Sequence, residues 1–598
     1  MQDDGVALEY VKHVENRLTN LDAVSENVEE CWKYLRDSMV ESAKEVCGST
    51  KRRGQNGDAW WDDEVKTSVE RKKKAWLDCL ASSSANDRVK DEKKAIYRRC
   101  RNETKALVKE KRERLNRINE DRISKNFKEN SKLFWKEVRK TRGSSTICRM
   151  NKVKAKHGDI LTITDDVLHR WSEYFGEIYE CDVLDIVQED EYPIDTVSST
   201  EDEISMKEIE CAIRSLKCGK AVGDDKVAAE MIKYGGVRLW DSFYLLCNLC
   251  WRTGRVPEDW RSAVIVPLYK GKGSHLDCTN FRAISLLSLA NKVYAKILVR
   301  RMEEKTEKMM WDAQGGFRQG RGCIDQIFSL RNVIEKFLGK HQRVFCAFVD
   351  LEKAFDRVIR KELWDILPEY GVNGKLLRAV QSLYKDCTAR VQVDGILSPK
   401  FDIKIGVKQG CVMSALLFTV YLDKCLHRLK DVSVGMRMND KVVNCLLYAD
   451  DAVLIAPSEN TLQTLVTLMK DGCKERGLHL NAKKTKVLVF ERDEDMTNAR
   501  IMVDNQTLEQ VNEIVYLGSV FSRDGRCVKD IERRVNAGNK VNGVIERLVS
   551  SRAITVKARL AIHNAIMTPT LLYGSETWVG DMRYESMYDK CCGDALVA

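Results

Sequence analysis

The chain has 598 residues, of which 43% are hydrophobic and only 7 are proline, and its formal net charge at pH 7 is +10. This length exceeds what one hydrophobic core usually serves, so we expect several domains, and the composition excludes a largely disordered chain. No uncharged apolar run reaches about 18 residues, so we expect no transmembrane helix. The charged amino-terminal residues lack the apolar core of a secretory signal, and we therefore expect the 21 cysteines to be reduced thiols.

The first 58 residues predict a weakly helical tail, and the excess positive charge lies beyond it. Residues 98–142 contain 17 lysines and arginines against 7 acidic residues, an excess equal to the net charge of the whole chain. Helical spacing without proline or glycine predicts helices over residues 62–140, with a break at the sequence ASSSANDRVK. Two interpretations remain open: a solvated helical face with mixed charges, or a surface that follows nucleic-acid phosphates.

The sequence DVLHRWSEYFGEIYE, residues 166–180, shows apolar residues at helical spacing, and the acidic residues 180–202 predict a linker. Beyond residue 203 the pattern changes to mixed helices and strands. The sequence SAVIVPLYKGKGS predicts a strand and a basic turn, and AISLLSLANKVYAKILVRRMEEKTEKMM predicts one long helix. The sequence GGFRQGRGCIDQIFSLRNVIEKFLGK predicts a loop rich in glycine and arginine that leads into another helix.

Three aspartates follow or interrupt apolar runs in the next part of the chain. Residues 344–349 are a continuous apolar run of strand length, and Asp350 ends it. Taken alone, Asp350 is consistent with an ordinary helix cap. Asp450 and Asp451 lie between two apolar runs that predict a hairpin, and a turn containing aspartate explains them without chemistry. The other interpretation is that the three carboxylates bind two Mg²⁺ ions, because like charges near an apolar core require a cation.

The order of these motifs resembles a known family. Along the chain they read WRSAVIVPLYKGKG, NFRAISLLS, QGGFRQGRGCIDQI, the strand ending in Asp350, LEKAFD, GVKQGCVMSALLF, YADD, GLHLNAKKTK and YLGSVFS. Over about residues 205–578 the chain resembles the reverse transcriptases of eukaryotic non-LTR (LINE-type) retrotransposons. The resemblance implies an α+β, right-hand polymerase fold of fingers, palm and thumb, preceded by a mostly helical, basic amino-terminal region.

The resemblance also divides the chain into predicted domains. After the tail at 1–58 and a basic helical extension at 59–202 with possible RNA binding, it implies fingers at 203–343 and a palm at 344–500. A primer grip and thumb follow at 501–580, with Leu517 and Gly518 in the primer grip. Residues 581–598 do not continue the family pattern, and we expect the endonuclease that family members carry to be absent from this chain.

Four residues match the family's catalytic positions. Asp350, Asp450 and Asp451 would bind two Mg²⁺ ions, with Mn²⁺ as a possible substitute. Lys484 would protonate the departing pyrophosphate, although two neighbouring lysines blur that assignment.

Five further residues match positions that contact the substrates. Lys270 and Arg282 would hold the triphosphate of the incoming nucleotide as paired cations. Phe355 would exclude a ribose 2′-hydroxyl and so favour deoxynucleotides. Gln409 and Gly410 would lie along the template and the incoming base.

The activity implied by the resemblance is RNA-directed DNA polymerisation by two-metal nucleotidyl transfer, as part of retrotransposition. The expected partners are an RNA template, a DNA primer or target and dNTPs, in a nuclear or cytoplasmic ribonucleoprotein that is not secreted. The chain departs from the family pattern at Ala283 and Ala415, where proline is usual. The alternative is therefore a degenerate or domesticated copy that binds RNA without polymerising, whereas Phe355 argues against an RNA-dependent RNA polymerase.

Overall fold

The structure, a computed structural model, describes residues 4–18, 27–48, 60–81, 87–141, 152–180, 201–493 and 495–578. The helices are α1 Asp4–Arg17, α2 Val28–Cys47, α3 Asp63–Ala81, α4 Asp87–Glu129, α5 Ser131–Thr141, α6 Thr164–Tyr179, α7 Met206–Arg214, α8 Ala229–Lys233, α9 Gly236–Thr253, α10 Glu258–Arg261, α11 Leu289–Thr306, α12 Cys323–Leu338, α13 Arg360–Ile366, α14 Gly374–Ser382, α15 Ser414–Cys425, α16 His427–Lys430, α17 Glu459–Glu475, α18 Val528–Val549 and α19 Val556–Leu572. The strands are β1 Val153–Lys154, β2 Ile160–Leu161, β3 Ser262–Tyr269, β4 Phe281–Leu287, β5 Val344–Val349, β6 Thr388–Val393, β7 Ile396–Leu397, β8 Phe401–Asp402, β9 Met436–Met438, β10 Lys441–Val443, β11 Cys445–Tyr448, β12 Asp451–Ala456, β13 Lys486–Phe490, β14 Met502–Val503, β15 Gln506–Thr507, β16 Glu509–Gln510, β17 Glu513–Tyr516 and β18 Ser519–Ser522. These elements confirm the predicted α+β fold class.

The chain divides into two compact units, each built from two separate stretches of sequence. The main unit comprises Met1–Ser49 and Cys148–Lys529, and the helical unit comprises Thr50–Ile147 and Asp530–Ala598. Residues 181–200 of the acidic linker predicted at 180–202, and the whole divergent tail predicted at 581–598, lie outside the described residues. In the part of the chain that is described, no helix is both long enough and apolar enough to span a bilayer.

The main unit contains a central five-stranded sheet in the order β11-β12-β5-β13-β16. All pairs in it are antiparallel except β13 with β16. Every residue of β5 is buried, as its continuous apolar sequence predicts. Alternate residues face opposite sides: Ala347 and Val349 join the main core, while Phe348 contacts the Tyr516 ring at 5.7 Å on the other side. The strand ending at Asp350 is therefore held on both faces.

A second sheet in the main unit has the order β4-β3-β6-β7, with β8 also paired to β6. The sequence AISLLSLANKVYAKILVRRMEEKTEKMM predicts one long helix, and that prediction is wrong for its first five residues. Residues 283–287 belong to β4, in which buried residues alternate with more exposed ones and which pairs antiparallel with β3 over its whole length. Helix α11 begins only after Ser288, whose side chain accepts a hydrogen bond from the Asn291 N–H.

Helices α1 and α2 belong to the main core, in contrast to the weakly helical tail predicted for residues 1–58. Tyr10 and Trp32 are fully buried there. The Trp32 indole N–H donates to Asp259 at 2.8 Å, and its ring packs edge-on against Trp260 at 5.7 Å. Helix α2 thus packs on its sequence neighbour α1, where the Tyr10 hydroxyl donates to the Met39 carbonyl, and on Trp260, more than 200 residues away.

The helical unit is built from α3, α4 and α5 together with α18 and α19. Ile123 and Phe134 share one buried cluster with Leu548 and Ile562. The sequence had assigned these two sets of helices to a basic extension and a thumb, and here they form a single core. The predicted extension also included residues 152–180, but α6 packs in the main unit, where the Trp171 ring lies 4.9 Å from that of Phe281.

Candidate active site

The hairpin β11–β12 brings two aspartates to the end of β5. Tyr448 pairs with Asp451, so the hairpin loop consists of Ala449 and Asp450. Strand β12 pairs with β5 through Ala452 and Val349, and one further step along this register sets Asp451 opposite Asp350. The three predicted carboxylates therefore lie at one edge of the central sheet.

The surrounding protein raises the pKa of two of these carboxyl groups, mainly by desolvation and secondly by mutual repulsion. Asp450 and Asp451 retain access to solvent, yet the surrounding protein displaces part of their hydration. This desolvation raises the pKa of Asp451 to about 6, and the charges of Asp450 and Asp350 add to the effect. Desolvation also raises the pKa of Asp450, with a further contribution from Asp350. Ionisation of Asp450 and Asp451 is therefore less favourable in the folded protein than in water.

Lys484 contacts the first of these carboxylates. Its Nζ lies 3.2 Å from Oδ2 of Asp350. The segment around it is fixed to the end of β5, because the Asn481 N–H donates to the Asp350 carbonyl at 2.8 Å and the Asp350 N–H to the Thr485 hydroxyl at 3.3 Å. Among the described residues, no group of three or more His, Cys, Asp or Glu side chains is gathered around a common point that would hold a metal ion.

Cations from the second sheet lie near the same edge. Lys270 follows β3, and its Nζ donates to the Thr279 carbonyl at 2.6 Å. Desolvation lowers the pKa of Lys270, and the nearby charges of Lys484, Arg282 and Lys353 lower it further. Arg282 and Lys484 in turn act to lower the pKa of Asp450. Lys353, in the LEKAFD sequence, was missed by the sequence analysis, although its place three residues after Asp350 was a usable signal.

Phe355 lies on the 3₁₀ turn Ala354–Arg357, shortly after Asp350. Its ring stacks on Phe418 of α15, with ring centroids 4.4 Å apart and planes 22° apart. The Phe355 side chain is only partly buried, whereas Phe418 is completely buried. Phe355 therefore keeps part of its ring accessible, while the contact with Phe418 fixes the ring against the core.

Gln409 and Gly410 lie in a loop that is tied to β4 and to the turn carrying Phe355. The Ser285 N–H donates to the Gln409 carbonyl at 2.9 Å, and a Cβ on Gly410 would stand 2.6 Å from the Ser285 carbonyl oxygen. The Gln409 amide donates to both oxygens of Asp356, at 3.1 and 3.3 Å. The Tyr179 hydroxyl donates to the same carboxylate at 3.3 Å, so Asp356 orients the Gln409 side chain.

Because Asp356 is buried, the free energy of unfolding should depend measurably on pH. Desolvation raises its pKa from 3.8 to about 6, so the stabilising contribution of this group is complete below about pH 4 and is lost as the pH rises through 6. In the wild type, ionisation of Asp356 should lower the free energy of unfolding by up to about 3 kcal/mol between pH 4 and 7. We expect Asp356→Asn to lack that decrease. Urea unfolding across that range measures it, with the exposed Asp402→Asn as control. Equal pH slopes for wild type and Asp356→Asn would contradict the assignment.

Leu517 and Gly518 form the two-residue loop between β17 and β18, since Tyr516 pairs with Ser519. Both loop residues have positive φ, +46° and +88°, as tight hairpins of this kind require. Tyr516 anchors the hairpin through the contact of its ring with Phe348 on the far face of the central sheet. The predicted primer-grip residues thus occupy a rigid hairpin tip.

An antiparallel sheet with carboxylates at one edge and cations from a second sheet near it is typical of palm-type nucleic-acid polymerase domains. Residues 270–521 match the family model described as "Reverse transcriptase (RNA-dependent DNA polymerase)". The chain is similar to the enzymes of non-LTR retrotransposons, as the following relatives show.

Two relatives and one solved structure illustrate the similarity. The chain is 27% identical over 394 residues to "Probable RNA-directed DNA polymerase from transposon BS" of Drosophila melanogaster. That alignment covers 63% of this chain and 42% of the relative. It is 26% identical over 383 residues to the Pol polyprotein of retrotransposable element R2 of Popillia japonica, covering 62% of this chain and 51% of the relative. A telomerase from Candida albicans, solved with a fragment of telomeric RNA, matches with a TM-score of 0.32 and 13% identity, over 61% of this chain and 62% of that one. The chain spans about half the length of the curated relatives it matches.

Proposed function

We propose that this protein is an RNA-directed DNA polymerase that extends a DNA primer on an RNA template as part of retrotransposition. The observation that carries the proposal is the strand register, which sets Asp350, Asp450 and Asp451 at the same edge of the central sheet, with Arg282 near Asp450 and Lys270 near Arg282. This combination suits phosphoryl transfer, in which positioning and charge do most of the catalytic work.

Two Mg²⁺ ions, or Mn²⁺ in their place, are proposed as cofactors held by Asp350, Asp450 and Asp451. Carboxylate oxygens are the ligands that Mg²⁺ prefers, and bound cations would offset the desolvation and the repulsion that together raise the pKa of Asp451 to about 6. When bound, such ions make a primer 3′-hydroxyl more acidic and neutralise charge on the phosphates.

The remaining proposed roles belong to side chains of this chain. Lys270 and Arg282 bind the triphosphate, and Lys484, already in contact with Asp350, donates a proton to the pyrophosphate. Phe355 closes the space that a 2′-hydroxyl would need, and Gln409 contacts the incoming base pair in the orientation that Asp356 sets.

The helical unit is proposed to contribute RNA binding. Helix α4 carries much of the positive charge of residues 98–142, and its side chains are mostly exposed. Cationic side chains along a helix of 43 residues suit the phosphates of folded or single-stranded RNA. The proposed setting of the whole protein is a ribonucleoprotein in the nucleus or the cytoplasm.

Primer extension tests the proposed activity. Purified protein with Mg²⁺ and an oligo(dT) primer on poly(rA) should incorporate dTTP and should incorporate UTP far more slowly. Folded protein that binds the RNA without incorporating dTTP would instead identify a polymerase relative that only binds nucleic acid. Incorporation of UTP as fast as dTTP would identify an RNA polymerase.

A further inference from the structure

The loop of the catalytic hairpin contains a residue in an unusual backbone conformation. Ala449, the first of its two residues, has φ +56°. Two-residue loops with positive φ at the first position normally contain glycine there, because a Cβ is disfavoured in this region. Ala449 is buried and precedes the two aspartates directly. Contacts from another part of the chain must therefore hold this backbone in place.

Gln314 supplies such contacts. Its side chain is 1% exposed, and its Oε1 accepts the N–H of Ala449 at 3.0 Å while its Nε2 donates to the carbonyl of Ala449 at 3.4 Å. The amide thus binds both polar groups of one residue, as a neighbouring strand would. Oε1 also accepts the N–H of Gly316 at 2.8 Å, which fixes the orientation of the amide.

The backbone around Gln314 lies directly against the hairpin. The Gly315 N–H donates to the Leu447 carbonyl at 2.8 Å, and the Leu447 N–H donates to the Ala313 carbonyl at 3.0 Å. A Cβ on Gly316 would stand 2.2 Å from the nitrogen of Ala449. Only glycine therefore permits this approach at residue 316, and residues 313–316 form a strap along the edge of β11.

The strap itself is anchored by a buried arginine. Arg318 is 9% exposed, and its Nη1 donates to the carbonyls of Trp311 at 2.9 Å and Gln314 at 3.1 Å. Its Nε and Nη2 bind the Glu307 carboxylate at 3.0 and 2.7 Å. Gln314 is thus held through its carbonyl by Arg318 and through its side chain by Ala449 and Gly316, so it has little freedom to move.

We propose that Gln314 is a positioning residue that holds the Ala449 turn against the repulsion among the three carboxylates. It keeps Asp450 and Asp451 aligned with Asp350 without contacting substrate itself. The inference rests on the proposed polymerase function for its catalytic consequence, but the bracing of the turn is independent of activity. The chain offers a matched comparison, because Gln463 binds the N–H and carbonyl of Met502 in the same manner, at 2.8 and 3.0 Å, away from this hairpin.

Hydrogen exchange tests the bracing. In Gln314→Met, the amides of residues 445–456 should exchange about tenfold faster than in the wild type, because the acceptor of the Ala449 N–H is gone. Gln463→Met should leave those amides unchanged. If Gln314→Met proves insoluble, Gln314→Asn retains the amide but is one methylene shorter, and the same difference is expected. Wild-type exchange in residues 445–456 of Gln314→Met or Gln314→Asn would overturn the proposal.

Steady-state kinetics test the catalytic consequence. Gln314→Met should lower kcat for primer extension by about tenfold, with KM for dTTP and the affinity for primer–template within about twofold of the wild type. Binding of Mn²⁺, followed by the loss of its free electron paramagnetic resonance signal, should weaken in parallel. The effect should shrink in an Ala449→Gly background, since glycine adopts positive φ unaided. A wild-type kcat and Mn²⁺ affinity in Gln314→Met would overturn the positioning role of Gln314. If the wild-type protein extends no primer, the proposed polymerase function is refuted. The hydrogen-exchange result then decides by itself whether Gln314 holds the Ala449 turn.

Discussion

Replacing Asp450 with asparagine should reduce primer extension by about a thousandfold or more. The substitution removes one of the three negative charges at this edge of the central sheet, and with it a proposed ligand of the cations. Stabilisation of the transferred phosphate by bound cations is worth several kcal/mol. The pKa of Asp450 is raised in the folded protein, so the charge opposes folding, and its removal should leave the melting temperature unchanged or raise it. Single-turnover incorporation of dTTP and thermal unfolding measure the two effects.

The matched control is Asp440→Asn. Asp440 is exposed in the turn between β9 and β10 and loses the same charge from the same part of the sequence. It should extend primers at the wild-type rate. Comparable loss of activity in the two variants, or substantial activity remaining in Asp450→Asn, would contradict the catalytic assignment.

Replacing Phe355 with alanine should reduce the preference for dTTP over UTP by about tenfold to a hundredfold. The preference depends on a clash between the aromatic ring and the 2′-hydroxyl, and differential binding of one polar group reaches a few kcal/mol. Phe355→Tyr keeps the ring and should keep the preference. Competition between the two nucleotides at a single template position measures the ratio directly.

Loss of stacking is a separate consequence of Phe355→Ala and needs its own control. Phe418→Leu removes the ring on which Phe355 stacks but leaves Phe355 in place. We expect it to destabilise the protein by about 1–3 kcal/mol and to alter the dTTP to UTP ratio little. If Phe418→Leu relaxes the preference as much as Phe355→Ala does, the selectivity comes from packing in this region and not from the ring of Phe355.

Local sequence patterns predicted those parts of the site in which neighbours in sequence determine the structure. The strand β5 follows from six consecutive apolar residues, and its end places Asp350 at a sheet edge. The β11–β12 hairpin follows from two apolar runs separated by a short polar loop. The roles of Lys484, Phe355 and Gln409 came from the family resemblance and stay predictions, although the structure places these residues near the carboxylates or on elements adjoining them.

Long-range packing explains what the sequence patterns did not predict. Strand β4 has apolar residues that suit either a helix or a strand, and pairing with β3 decides between them. The brace by Gln314 depends on a turn 135 residues further along the chain, and a lone glutamine in a glycine-rich loop carries no signal of it. Likewise, Trp32 of α2 packs on Trp260, more than 200 residues away, and no local pattern signals that contact.

The shared core of the helical unit has a consequence for the order in which the protein forms. Ile123 and Phe134 are translated roughly 400 residues before Leu548 and Ile562, which bury them. At about 5–20 residues per second, a ribosome needs about 20–80 s to produce the missing half. During that time the apolar residues of the early helices that pack on Leu548 and Ile562 are exposed to solvent or bound by a chaperone. A chain released before residue 548 would keep them exposed and would be prone to aggregate.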